Sequence, residues 1–313
     1  MTEIANGAAV STPHPSLGVW VKTARPFTLT ATMSPLLVGT AVAAYHRAFN
    51  PWLFLAALFS GMLLQVGANY FNEFFDWRYG LDTDASLGAS TVIFKQEMSA
   101  RQVLAGGIVS FIVAALLGIV LIATVGYAIV LFGLAGIAIA YFYSARPFRF
   151  ATRGLGDILV FLAMGFLMTW GAYFVQIHHW SWSAFAASIP VGFLVVAILN
   201  MNNIRDFEDD RTVAKKTVVV RFGLRFGKNY QRTLVFGAYG AVALFALVHL
   251  LPILSLAAWL SLPTAFAHIN SILPTRDRKV YMRGMKQISL LHLQFGVLMT
   301  LGIVVATLAR MPF

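Results

Sequence analysis

The sequence predicts an all-α, polytopic membrane protein: a bundle of nine transmembrane helices with capping segments on the cytoplasmic side. Three observations lead there. Hydrophobic residues make up 59% of the 313 residues and charged residues only 11%, against about 25% charged in a soluble domain. Lipid must therefore be the solvent for most of the surface. Apolar stretches recur along the chain, each near the roughly twenty residues that a spanning helix needs. The basic residues are confined to alternate connections between those stretches.

Taken in order, residues 1–20 read as a flexible cytoplasmic tail. They lack the basic start and compact apolar core of a cleavable signal. The spans lie near 27–46, 52–72, 103–124, 126–145, 156–176, 184–202, 232–250, 253–272 and 289–309. Backbone groups in lipid must be satisfied within their own segment, which selects helices. Pro263 places a kink in the eighth span, and 1–313 reads as one domain. Alternating spans put the tail and the connections 73–102, 146–155, 203–231 and 273–288 on one side. Of the 23 Lys and Arg, only Arg47 and Arg310 fall on the other side, and 21 fall on this one, with Arg232 at the very start of the seventh span. That side is cytoplasmic by the positive-inside rule, in a multi-pass protein of the cell inner membrane. Arg146, Arg149 and Arg153 read as part of this topology signal. The formal net charge of +11 describes a face that meets anionic membrane lipids and anionic substrate, with no nucleic acid as partner. Cysteine is absent, which excludes disulfides and thiolate catalysis.

The acids are placed as selectively as the bases. Of the 12 Asp and Glu, only Glu3, Asp157 and Asp277 lie outside the long connections 73–102 and 203–231. Asn72 and Asp76 end the second span four residues apart, on one helical face. Asn202, Asp206 and Asp210 repeat that step after the sixth. Hard cations such as magnesium take oxygen ligands, often one or two carboxylates completed by waters and substrate phosphates. Two facing acidic ladders would repel each other at a low-dielectric boundary. Bridging cations remove that cost, and a diphosphate completes their shell. Arg78 follows the first ladder, and Arg205, Lys215 and Lys216 surround the second, where they suit diphosphate oxygens. Arg25, opening the first span, either reaches a phosphate or anchors its helix. Asp157 either orients or deprotonates an acceptor or serves as a helix N-terminal charge. Asn69 and Tyr143 read as acceptor-side groups, with helix–helix bonding and an interfacial belt as their alternatives. Asp84, Glu208 and Asp209 read as solvated charges or as residues behind the ligands.

At these residues the chain resembles the UbiA superfamily of intramembrane prenyltransferases. The resemblance rests on Asn72-Glu73-Phe74-Phe75-Asp76, on Asp206 to Asp210, and on matching stretches between Lys22 and Gly223. Glu73 stands where the family usually has Asp. Within the superfamily the pattern is most similar to the prenyltransferases that act on 1,4-dihydroxy-2-naphthoate in menaquinone synthesis. The resemblance implies a metal set of Asn72, Glu73, Asp76, Asp82, Asn202, Asp206 and Asp210 holding Mg2+, two ions. It implies catalytic roles for Asp76, Asp206, Asp210 and Asp157. It also implies two substrates, a polyprenyl diphosphate and an aromatic acceptor. Other acceptors (a phenolic acid, a chlorophyllide, a glycerol phosphate lipid) remain alternatives, as does a non-catalytic lipid-binding or transport protein. A transporter would favour acids or broken helices near the midplane, whereas these acids sit at the cytoplasmic boundary.

Overall fold

The computed structural model describes residues 14–81, 91–213 and 215–311. Among the described residues every regular element is helical. A short α1 (Leu17–Ala24) leads through a 3₁₀ turn (Pro26–Leu29) into α2 (Thr30–Tyr45). Then come α3 (Pro51–Arg78), α4 (Ala100–Val125) and α5 (Ala128–Ser144). The next rod is composite: α6 (Gly156–Val160), a π-helical turn (Phe161–Leu167) and α7 (Met168–Ile177). After it come α8 (Trp182–Arg205), α9 (Phe207–Thr212), α10 (Val218–Phe222) and α11 (Leu224–Leu247). A 3₁₀ stretch (Ile253–Ser261) feeds α12 (Leu262–Ile272), and α13 (Arg278–Leu308) ends the fold.

Each of the nine expected spans is thus helical. Among the described residues seven rods are long and apolar enough to cross a membrane. The other two are α5, apolar but 17 residues long, and α11, whose first half carries Arg225, Lys228 and Arg232. Two expectations change in detail. The tail is not featureless to residue 20: Leu17–Ala24 is helical, with Thr23 buried and Trp20 packed on Tyr70. Pro263 sits in the first turn of α12, where its missing N–H costs nothing. The break in the eighth span falls just before it, as a change from 3₁₀ to α geometry.

The packing follows from composition. In α8, 78% of the spanning window is buried, against 11% in α4. α8 is therefore the central rod, touching α2, α11 and α13, while α4 leans on α3 and faces lipid. Without a hydrophobic drive between helices in lipid, close approach of small residues does the work. A Cβ on Gly39 of α2 would overlap the Thr169 carbonyl of α7, and one on Gly302 of α13 would overlap the Leu254 carbonyl.

Rod length positions the site. α3 has 28 residues, so it rises about 42 Å, well beyond the ~30 Å hydrocarbon core. Its last turns, with Asn72 and Asp76, extend past the lipid on the basic face.

Candidate active site

α3 and α8 both end on the basic face, so their C-terminal acids can converge. They do: Asn72 and Asp76 line the same cavity as Asn202, Asp206 and Asp210. The cavity measures about 600 Å³. Its polar end also holds Arg25, Asn69, Tyr143, Arg205 and Lys215, while Leu36, Leu64, Ile122, Ile137, Met164 and Val195 are among its apolar walls. Carboxylates at helix C-termini face the negative end of the helix dipole. Two such ends pointed together create a strong local demand for positive charge.

Local backbone geometry builds the second ladder. Helix α8 stops at Asp206 (φ −94°, ψ 8°), which opens α9. The Asp210 N–H still bonds the Asp206 carbonyl at 2.8 Å, so the four-residue step survives the break. The chain then turns back: the Lys215 N–H bonds the Asp210 carbonyl at 2.9 Å, and its ammonium reaches Asp210 Oδ1 at 3.2 Å. Burial works against the Lys215 charge, but Asp76 and Asp210 more than offset it and raise its pKa. One ammonium thus answers an acid from each ladder. Burial pushes the Asp210 carboxyl up to about 6, with Lys215 opposing and Asp206 adding to the rise. A cation that needs the carboxylate competes with that proton. Magnesium affinity is therefore expected to fall as pH drops below about 6. Binding titrations across pH check this, and a flat profile down to pH 5 would remove Asp210 from the ligand set.

Arg25 sits in a left-handed turn (φ 52°) between α1 and the 3₁₀ turn. Such a conformation costs of order 1 kcal/mol and needs outside support. Asn69 provides it: its amide donates to the Ala24 carbonyl at 2.8 Å and to Thr28 Oγ1 at 3.0 Å. Arg25 Nη1 donates to Asn72 Oδ1 at 3.2 Å, and the buried Arg25 Nε has no hydrogen-bond partner. That leaves a donor for an anion in the cavity. Arg205 is committed differently. Its fork donates to both Asp206 oxygens at 2.7 Å and also to Asn202, so it holds the second ladder in place.

Four expected site residues are not brought to the cavity wall. Glu73 is one position from Asn72, about 100° around the helix, and is 1% exposed. Its Oε1 accepts from Val92 N at 2.7 Å and its Oε2 from Thr91 N at 3.1 Å, with Arg25 Nη2 at 3.6 Å. It staples the connecting segment to α3. Glu73→Ala should therefore act on stability, by about 1–3 kcal/mol for the two orphaned buried N–H groups, and leave the magnesium response intact; thermal unfolding and magnesium titration separate the two. Asp157 is buried, lies outside the cavity lining, and its Oδ2 has no hydrogen-bond partner among the described residues. Arg78 is exposed on the far side of α3, over the Phe74 ring. Lys216 is exposed, its backbone N–H bonded to the Thr152 carbonyl at 2.9 Å. Asp82 and Asp84 lie outside the described residues.

Sequence reasoning missed one support and left a second undecided. Ser144 Oγ, at the end of α5, accepts from Asn72 Nδ2 at 3.1 Å, and a lone serine carries no signal. Asp209 lines the cavity and is paired with Arg278 of α13, 69 residues away, where the sequence left open a solvated charge or a residue behind the ligands. Among the described residues no three acidic or histidine side chains cluster closely enough to cage a metal by themselves. The donor set fits magnesium on those terms, since that ion keeps waters and uses substrate phosphates alongside a few carboxylates.

Comparison with known proteins agrees with this picture. The sequence profile described as the UbiA prenyltransferase family matches residues 32–308. The chain is 31% identical over 287 residues to the 1,4-dihydroxy-2-naphthoate octaprenyltransferase of Bacillus subtilis, covering 90% of this chain and 91% of that one. It is 32% identical over 255 residues to the enzyme of the same name from Escherichia coli, covering 79% and 81%. In fold it is similar to a UbiA homolog from Archaeoglobus fulgidus solved with GPP and Mg2+, at TM-score 0.64 and 17% identity, over 92% of this chain and 99% of that one.

Proposed function

The chain belongs to the UbiA prenyltransferase family, and from that premise we propose that it transfers a polyprenyl group from its diphosphate to 1,4-dihydroxy-2-naphthoate, with magnesium. One observation carries the reading: two acidic ladders, about 130 residues apart in sequence, line the polar end of one long apolar cavity. Asp76 and Ala57 of α3 both line it, which gives it about 28 Å along one helix, room for several isoprene units. The naphthoate acceptor rests on the names of the relatives.

In this reading Asn72, Asp76, Asn202, Asp206 and Asp210 hold the magnesium ions, two of them. When bound, they stabilise the charge that builds on the leaving diphosphate. Lys215 and the free donor of Arg25 add to that stabilisation, which grows as the allylic carbon–oxygen bond breaks and its electron pair leaves with the diphosphate. The apolar walls keep water from the allylic cation. An electron-rich acceptor carbon then attacks. With dihydroxynaphthoate, the carbon bearing the carboxylate forms the new bond, carbon dioxide leaves, and its bonding pair restores the ring. Tyr143 and Asn69 line the acceptor side. Asp157 acts from behind the wall, through its neighbours. The site faces the cytoplasm, in a chain crossing the inner membrane nine times with its N-terminus inside.

The test is an assay of purified protein with geranylgeranyl diphosphate and a panel of acceptors, products read by mass. Prenylated, decarboxylated naphthoate that disappears with EDTA and returns with magnesium is the expected result. Product only with a phenolic acid or a glycerol phosphate would reassign the acceptor. No product with any acceptor would favour a binding protein.

A further inference from the structure

A second, basic pocket lies outside the cavity, at the C-terminal ends of α3 and α5. Phe75, Arg78, Tyr79, Tyr141 and Arg146 line it, around about 410 Å³. Tyr79 is its centre. Arg146 Cζ lies 5.3 Å from the Tyr79 ring centroid and Arg149 Cζ 4.1 Å. The Tyr79 hydroxyl accepts from the Arg146 backbone N–H at 3.2 Å. Arg78, at the end of α3, is supported by the Phe74 ring at 6.0 Å. Among the described residues none of Arg78, Arg146 and Arg149 is paired with a carboxylate. The pocket therefore gathers guanidinium charge on aromatic faces, with no carboxylate among its described lining residues. Guanidinium forks suit phosphate oxygens.

The surroundings identify the carrier of that phosphate. Tyr141 lines the pocket and is 37% exposed, and Trp77 and Phe148, beside Arg78 and Arg146 in the chain, are 40% and 42% exposed. Along α4, whose spanning window is only 11% buried, Val109, Ile112 and Leu116 are exposed. Aromatic residues beside arginine at the end of a lipid-facing groove mark headgroup depth. A free anion would gain nothing from this apolar rim, whereas an amphiphile uses both parts.

The geometry points to a binding site for the phosphodiester headgroup of an anionic phospholipid, held by Arg78 and Arg146 against Tyr79, with acyl chains lying along α4 and α5. Arg149 sits on the same Tyr79 ring and contributes positive charge at Asp76. The pocket and the acidic cavity share no lining residue, so a lipid seated here adjoins the diphosphate site without entering it. The assignment does not depend on the prenyl-transfer reading.

Native mass spectrometry of the full chain in detergent tests it, offering dioleoyl phosphatidylglycerol or dioleoyl phosphatidylcholine at equal concentration. The wild type should retain one phosphatidylglycerol in clear preference. The Arg78→Gln/Arg146→Gln variant should lose about fivefold in retention per arginine removed. Arg225→Gln, which removes an exposed basic-face charge outside the pocket, should retain the lipid as the wild type does. Should the double variant not fold, Arg146→Gln alone carries the test, since its backbone bond to Tyr79 survives. Equal retention of both lipids, or undiminished retention by the variants, would overturn the proposal. So would displacement of the lipid by micromolar inorganic diphosphate, which would assign the pocket to free phosphate.

Discussion

Asp76→Ala is expected to lower prenyl transfer by about a thousandfold or more, because on the proposed reading it removes one of the anions that would hold the magnesium ions. Asp206→Ala should do the same from the other ladder. The two differ in their side effects. Asp76 lies at the cavity wall, in no direct ion pair among the described residues and compensated by the charges of Lys215 and Arg25, so its loss should leave the fold intact. Asp206 is the bidentate partner of Arg205, which is only 6% exposed. Truncating it leaves a buried guanidinium short of an acceptor, and breaking such pairs costs about 3–5 kcal/mol when burial is complete. Asp206→Asn is the cleaner probe, since an amide oxygen still receives one arm of the fork. The measurement is initial rate against magnesium concentration, alongside thermal unfolding in detergent. Near-full activity in Asp76→Ala would count decisively against the assigned metal site.

The second large effect is on the fold. Gly39→Val should destabilise the protein by about 3 kcal/mol or more, since overpacking a rigid contact commonly costs 1–3 kcal/mol and here the obstacle is backbone. A Cβ at position 39 would overlap the Thr169 carbonyl oxygen, with the Ala172 methyl 3.0 Å away. Neither α2 nor α7 can yield locally, because Ala41, Val42 and Ala43 beside the contact and Tyr173 opposite are all buried. The expected result is a large drop in melting temperature or loss of monodisperse protein on gel filtration. Gly118→Val is the control: nothing lies within 4 Å of its Cβ position, so its melting temperature should stay close to the wild type. Equal stability of the two variants would refute the close-packing account.

Much of this protein was legible in its residues. Lipid as solvent follows from composition, the helical class from backbone hydrogen bonding in lipid, and the spans from apolar length. The two acidic steps were legible too, because a spacing of four is a statement about one helix. What one helix cannot report is its partner. Glu73 illustrates the limit: a carboxylate between two ladder residues reads as a ligand, yet 100° of rotation sends it to Thr91 and Val92. Arg78 is turned away in the same manner. Asp209 reads as either solvated or behind the ligands until Arg278 arrives from the last helix. Ser144 gains its role only because α5 ends beside Asn72. Local periodicity thus determined which residues share a face. Only the packing of α3 against α5, and of α8 against α11 and α13, decided which faces meet, because those contacts depend on side-chain volumes and close backbone approaches between segments far apart in the chain.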